Sequence, residues 1–133
     1  MKTRLILLLL IFTGYNSYSQ CAYDYYVSAL DKSKSRDYKD AIRDYTKVLE
    51  MSPQHTQAYV ERGYCKIQLG KDKSAIADFN KAIMISPDDA DAFYYRGLAH
   101  IKLEQKTNGC LDLNKAQELG NLEAFLSITS NCN

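Results

Sequence analysis

The sequence predicts an all-α fold: antiparallel helix pairs stacked in series, about six helices, with a short capping helix at the C-terminal end and a secretion signal at the other. Three observations predict it. Residues of like character recur at a step of 34, as in Asp44 and Asp78, Tyr45 and Phe79, Pro53 and Pro87, and the series Tyr25, Tyr59, Phe93 and Ala29, Gly63, Gly97. A fixed period of this length marks a repeat array. Within each period the apolar residues follow helical spacing, and a Ser-Pro pair punctuates it at Ser52-Pro53 and Ser86-Pro87.

The N-terminal element comes first. Lys2 and Arg4 precede an apolar run from Leu5 to Phe12, and Ser17-Tyr18-Ser19 places small residues where a signal peptidase would cut. The run has the length of a signal-peptide core and is shorter than the roughly 20 residues a membrane-spanning helix needs. The reading is a signal peptide over 1–19 and a repeat domain over 20–133 in a periplasmic or secreted protein. Cys21 raises a lipoprotein alternative, although Gln20 before it and Tyr18 three before it fit a lipidation motif poorly. Removing the signal takes two of 17 basic residues and none of 16 acidic ones, leaving a net charge of minus one. No basic stripe or arginine-rich arm is present, so a nucleic-acid partner is not expected.

The repeats span about 22–55, 56–89 and 90–121. In each first half an aromatic is followed four residues later by Ala or Gly, on one helical face, and the small residue lets another helix approach. In the second halves Ala41, Ile42, Tyr45, Val48, Leu49 and Ala75, Ile76, Phe79, Ala82, Ile83 form apolar stripes. Arg36-Asp37 and Gly70-Lys71 are the short turns inside the units. Proline lacks an amide hydrogen and disfavours helix in the residue before it, so each Ser-Pro ends a helix.

This pattern resembles the tetratricopeptide repeat family. The second unit matches it with Tyr59, Gly63, Ala75, Phe79, Ala82 and Pro87, the first with Tyr25, Ala29, Ala41, Tyr45, Val48 and Pro53. The third starts well with Phe93 and Gly97, then departs with Gly109, Leu113, Ala116 and Asn121. The resemblance covers about 22–120 and implies a right-handed superhelix with a concave face lined by the first helix of each unit.

Carried over by position, that groove holds Tyr23, Tyr26, Val27 and Leu30, then Val60, Glu61, Tyr64 and Ile67, then Tyr94, Tyr95, Leu98 and Ile101. Gln57, Gln68, Asp91 and Lys102 border it. The surface is aromatic and aliphatic, and tyrosine offers large contact area with a hydrogen-bonding tip. The expected partner is a peptide or helix of another protein. Some relatives clamp acidic chaperone tails with Lys, Asn and Arg. The corresponding places here hold Tyr26, Val27, Val60, Glu61, Tyr94 and Tyr95, so that mode of binding is not expected. The alternative is a structural subunit of a membrane-associated assembly, which touches the membrane only if Cys21 is lipidated.

No enzyme constellation is legible. His55 lies in an inter-repeat turn, His100 takes the helix position of Lys32 and Lys66, and no phosphate loop or paired Cys/His spacing occurs. No cofactor and no metal site is expected. The recurring charges suggest ion pairs between neighbouring units, Asp44 with Arg62 and Asp78 with Arg96.

At the C-terminal end Gly120 caps a helix, and a capping helix follows at about 121–132. Leu122, Phe125, Ile128 and Cys132 are read as its inward stripe, folded against the preceding helix. Cys110 stands where the other units carry Ile42 and Ile76, and lies as far from the turn as Cys132 does. Both point into one seam, which predicts a Cys110–Cys132 disulfide, with Gly109 letting that hairpin close. Cys65 is read as buried filler, and Cys21, placed just before the first helix, as a free thiol, a lipid site or an intermolecular link.

Overall fold

The computed structural model describes residues 19–132, and the signal segment lies outside these except for its last residue. Seven α-helices run through them: α1 over 19–34, α2 Tyr38–Met51, α3 Thr56–Gln68, α4 Asp72–Ile85, α5 Ala90–Lys102, α6 Lys106–Glu118 and α7 Leu122–Asn131. Cys21 lies inside α1, not before it. No helix among the described residues is long and apolar enough to cross a membrane.

Two kinds of turn alternate along the chain. After α2 and α4 the helix stops at Ser52 and Ser86, whose amides still donate to Val48 and Ala82, and proline follows. After α1, α3 and α5 the chain turns through a left-handed residue: Arg36 (φ 62°), Gly70 (φ 71°) and Glu104 (φ 61°). In each case the next amide reaches five residues back, Asp37 to Lys32, Lys71 to Lys66 and Gln105 to His100. These are Schellman turns, for which glycine is suited because it lacks the Cβ that crowds a left-handed backbone. Gly120 (φ 98°) ends α6 in the same way, with Asn121 donating to Ala116.

Packing follows the period. One core joins Ala29, Ala41, Tyr45 and Val48 to Ala58 and Cys65 of α3. The next joins Val60, Ala75, Phe79 and Ala82 to Ala92 and Ala99 of α5. The last joins Tyr94, Leu113 and Ala116 to Ala124 of α7. Each helix pair is therefore closed by the first helix of the unit that follows. The large residue at the centre of each second helix, Tyr45, Phe79 or Leu113, is fully buried.

Helix α7 takes the place of a first helix in a fourth unit. Its cap repeats the earlier ones: His55, Asp89 and Asn121 each accept a hydrogen bond from the amide three residues on, at Ala58, Ala92 and Ala124. Asn121-Leu122-Glu123-Ala124-Phe125 thus aligns with Asp89-Ala90-Asp91-Ala92-Phe93 at a step of 32 rather than 34. The Gly120 turn is shorter than a Ser-Pro turn, and this shift hides the repeat from a fixed-period reading.

The seam of α7 also differs from the expected stripe. Ala124 is buried, and Ile128 and Cys132 pack beside it. Leu122 and Phe125 face outward, 89% and 55% exposed. Residues at i, i+4 and i+8 hold one helical face better than the i, i+3, i+6 series, which drifts around the helix. Cys110 and Cys132 are joined in a disulfide, with Cα atoms 5.8 Å apart across a sequence separation of 22. Gly109 serves a different pair from the one expected. A Cβ there would meet the Ile101 side chain at 2.6 Å and the Gly97 carbonyl oxygen at 2.9 Å, so it permits close approach of α6 to α5.

Arg36 and Glu104 hold a backbone that costs a residue with a Cβ roughly 1 kcal/mol. Glu104→Gly is expected to raise unfolding free energy by about 1 kcal/mol in urea titration. Gly70→Ala, at the equivalent turn, is expected to lower it by a similar amount.

Candidate functional site

The charged side chains that set the helix register are buried beside the groove, not in it. Asp44, Asp78 and Asp112 on the second helices are all buried. Arg62 Nε and Nη2 donate to the two oxygens of Asp78 at 2.9 and 2.7 Å, and Arg96 grips Asp112 the same way at 2.7 Å on each side. Lys66 adds a second cation to Asp78 at 2.8 Å, and His100 Nε2 lies 3.8 Å from Asp112. In the first unit Lys32 and Ser28 donate to Asp44.

These pairs correct the expected ones. Arg62 pairs with Asp78, not Asp44, and Arg96 with Asp112, not Asp78, so each arginine grips the carboxylate of its own unit. The link to the preceding unit runs through the remaining guanidinium nitrogen, which donates to Thr46 from Arg62 and to Asn80 from Arg96. Each guanidinium also lies over an aromatic of its own helix, Tyr59 at 5.7 Å or Phe93 at 5.3 Å. The sequence carried a signal for this arrangement. Position 28/62/96 and position 32/66/100 are one helical turn apart, so both can reach one carboxylate.

Burial pushes the Asp44 carboxyl up, but hydrogen bonds from Lys32 and Ser28 outweigh it and hold the group below the usual carboxylate range. Its stabilising effect is present above the unfolded-state pKa and is lost as pH falls through the lowered folded value.

The groove residues fall into three sets. On α1, Tyr23 is 62% exposed and Val27 is exposed, whereas Tyr26 and Leu30 pack on the first core. Tyr26 lies 6.0 Å from the Tyr45 ring and 4.9 Å from His55. Val60 is 1% exposed and belongs to the second core, so it is packing rather than groove. The third set comes together. Tyr64, Ile67, Tyr94, Tyr95, Leu98 and Ile101 line one open cleft of about 490 Å³, with Gln68 and Lys102 at its rim. Ile67 and Tyr94 are themselves mostly buried and present only an edge to it.

Two cleft residues were not anticipated, Glu123 and Asn131 of α7. Assigning α7 to a cap, not to a first-helix position, concealed them. The Asn121 side chain also donates to Asp91 at 2.8 Å, tying the start of α7 to α5.

Tyr95 is the hub of the cleft. Its ring centroid lies 5.4 Å from Tyr64, 5.2 Å from Tyr94 and 6.1 Å from Phe79. Burial, followed by the carboxylates of Asp91, Glu61 and Glu123, pushes its hydroxyl up to about 12. Glu61 also raises Tyr26, Tyr45 and Tyr64, each after burial as the first cause.

Elsewhere, Cys65 is buried and its thiol donates to Ser33, burial pushing it up, while Cys21 is an exposed free thiol. Neither is near the cleft. Among the described residues no group of three or more His, Cys, Asp or Glu is placed to hold a metal ion.

A family model described as TPR repeat matches residues 63–103, the stretch from the second first-helix into the third unit. That stretch is similar to the tetratricopeptide repeat. Solved tetratricopeptide structures superpose on most of it. The first TPR of Spaghetti (RPAP3), bound to an HSP90 peptide, is 25% identical with a TM-score of 0.82, covering 86% of this chain and 92% of that one. The Arabidopsis OM64 TPR domain is 19% identical with a TM-score of 0.83, covering 85% and 95%. The MamA protein is 24% identical with a TM-score of 0.74, covering 84% of this chain and 64% of MamA. No curated protein matches the sequence.

Arg62→Met leaves the buried Asp78 with Lys66 alone and removes the link to Thr46. It is expected to cost about 2 kcal/mol in urea unfolding, in the range of hydrogen bonds to charged groups. Lys47→Met breaks an exposed pair with Glu50 and is expected to change stability by less than about 0.5 kcal/mol. Cys132→Ser is expected to cost about 3 kcal/mol in the chain-entropy account and to speed amide hydrogen exchange in α7 before the other helices.

Proposed function

We propose that this tetratricopeptide protein is a non-enzymatic interaction module that takes a peptide or helix of a partner protein in the cleft between α3, α5 and α7. One observation carries the reading: a concave cleft of about 490 Å³ walled by tyrosines and branched aliphatics of α3 and α5, with Glu123 and Asn131 of α7 completing its lining. Such a surface supplies contact area at low side-chain entropy cost, with polar tips to fix orientation. The helices beneath are held by the buried Asp78 and Asp112 pairs, so the wall is already in place before a partner arrives.

Similar structures support the class of partner. The first TPR of Spaghetti is bound to an HSP90 peptide, and the second TPR domain of human RPAP3 is in complex with an HSP70 peptide. Tyr64, Tyr94 and Tyr95 make an uncharged wall here, so we infer a different peptide for this chain. We place the protein in the periplasm or outside the cell, on the signal-like segment over 1–19 and on the disulfide Cys110–Cys132, a bond that persists in oxidising compartments.

Tyr64→Ala with Tyr94→Ala is expected to weaken partner capture by tenfold or more, as loss of central aromatic anchors does, with far-ultraviolet circular dichroism unchanged. Undiminished capture by a folded double variant would remove the cleft as the site.

A further inference from the structure

The inference below rests on the cleft reading and concerns the chemistry of what fills it. Glu123 lines the cleft, and Glu61 and Asp91 lie one helical turn before its Tyr64 and Tyr95. Asp91 lies one turn before Tyr95 on α5, Glu61 comes from α3 and Glu123 from α7. None of the three forms an ion pair with a cation among the described residues. Glu61 accepts a hydrogen bond from Gln57 and Asp91 one from Asn121, both neutral amides. Every other recurring carboxylate on the second helices is matched by a cation, as Asp44, Asp78 and Asp112 are.

Their setting is also specific. The Tyr95 ring centroid lies 5.4 Å from Tyr64 and 5.2 Å from Tyr94, and Glu61 acts on Tyr26, Tyr45, Tyr64 and Tyr95 together. Aromatic faces attract cations through their quadrupole, and a nearby carboxylate adds charge in a partly desolvated place. Beside this aromatic floor the cleft wall is aliphatic, Ile67, Leu98 and Ile101, and Lys102 also lines it. An acidic chaperone-type tail laid here would set like charges together, which costs affinity.

We infer that the cleft accepts a basic amphipathic segment of a partner protein, with a Lys or Arg side chain seated over Tyr95 among Glu61, Asp91 and Glu123, and an apolar side chain against Leu98 and Ile101.

The test uses the full chain and three short helical peptides with the same leucine face. Their flanking positions carry lysine, glutamine or glutamate, and binding is read by fluorescence anisotropy. The lysine peptide is expected to bind roughly tenfold tighter than the glutamine peptide, and the glutamate peptide more weakly than either. Glu61→Gln with Glu123→Gln is expected to abolish the lysine preference. A preference for glutamate, or none, with binding still lost in Leu98→Glu, would overturn the charge assignment and leave the cleft reading intact. Binding that is absent for all three peptides, or unaffected by Leu98→Glu, would overturn both.

Discussion

No helix pair in this molecule can bury its own apolar face. Each core is closed by a helix from the next unit: Ala58 and Cys65 for the first, Ala92 and Ala99 for the second, Ala124 for the third. This dependence on a neighbour is the general condition of repeat proteins. It explains why the described chain continues to α7, and why α7 is built as a first helix with an asparagine cap and a buried alanine. It also explains the disulfide. Helix α7 buries only Ala124 fully, so its packing alone is weak, and Cys110–Cys132 ties it to α6 by covalent means.

Polar register sits on top of that packing. Asp78 and Asp112 are buried carboxylates whose desolvation must be offset, and two-point arginine contacts supply the geometry that does so. Because Arg62 and Arg96 also reach back to Thr46 and Asn80, each guanidinium spans three helices. Lys66 and Arg62 are committed to Asp78 and Arg96 to Asp112, which leaves Lys102 as the cation that lines the cleft, with Glu123 as its acid.

Much of the fold was legible because its signals are local and periodic. Asp44 and Asp78, Tyr45 and Phe79, and the two Ser-Pro pairs place the helices and their ends directly. The equal distance of Cys110 and Cys132 from Asn121 placed both in one seam. What the sequence hid was relational. Whether Arg62 meets Asp44 or Asp78 depends on how first and second helices face each other, which spacing along the chain leaves open. The shorter turn at Gly120 broke the 34-residue step and made α7 read as a simple cap, so Glu123 and Asn131 were missed as cleft residues. Val60 looked like groove because its helix lines the groove, yet its side chain points into the core.

The central claim is that the concave cleft, and not the outer surface of the second helices, is where a partner docks. Site-specific photo-crosslinking tests it most directly, with the reactive residue placed at Leu98 in the cleft or at Met84 on α4, which is 73% exposed outside it. The account predicts a discrete adduct with a partner protein from Leu98 that unlabelled partner segment competes away, and none from Met84. Equal adducts from both positions, or an adduct from Met84 alone, would contradict it.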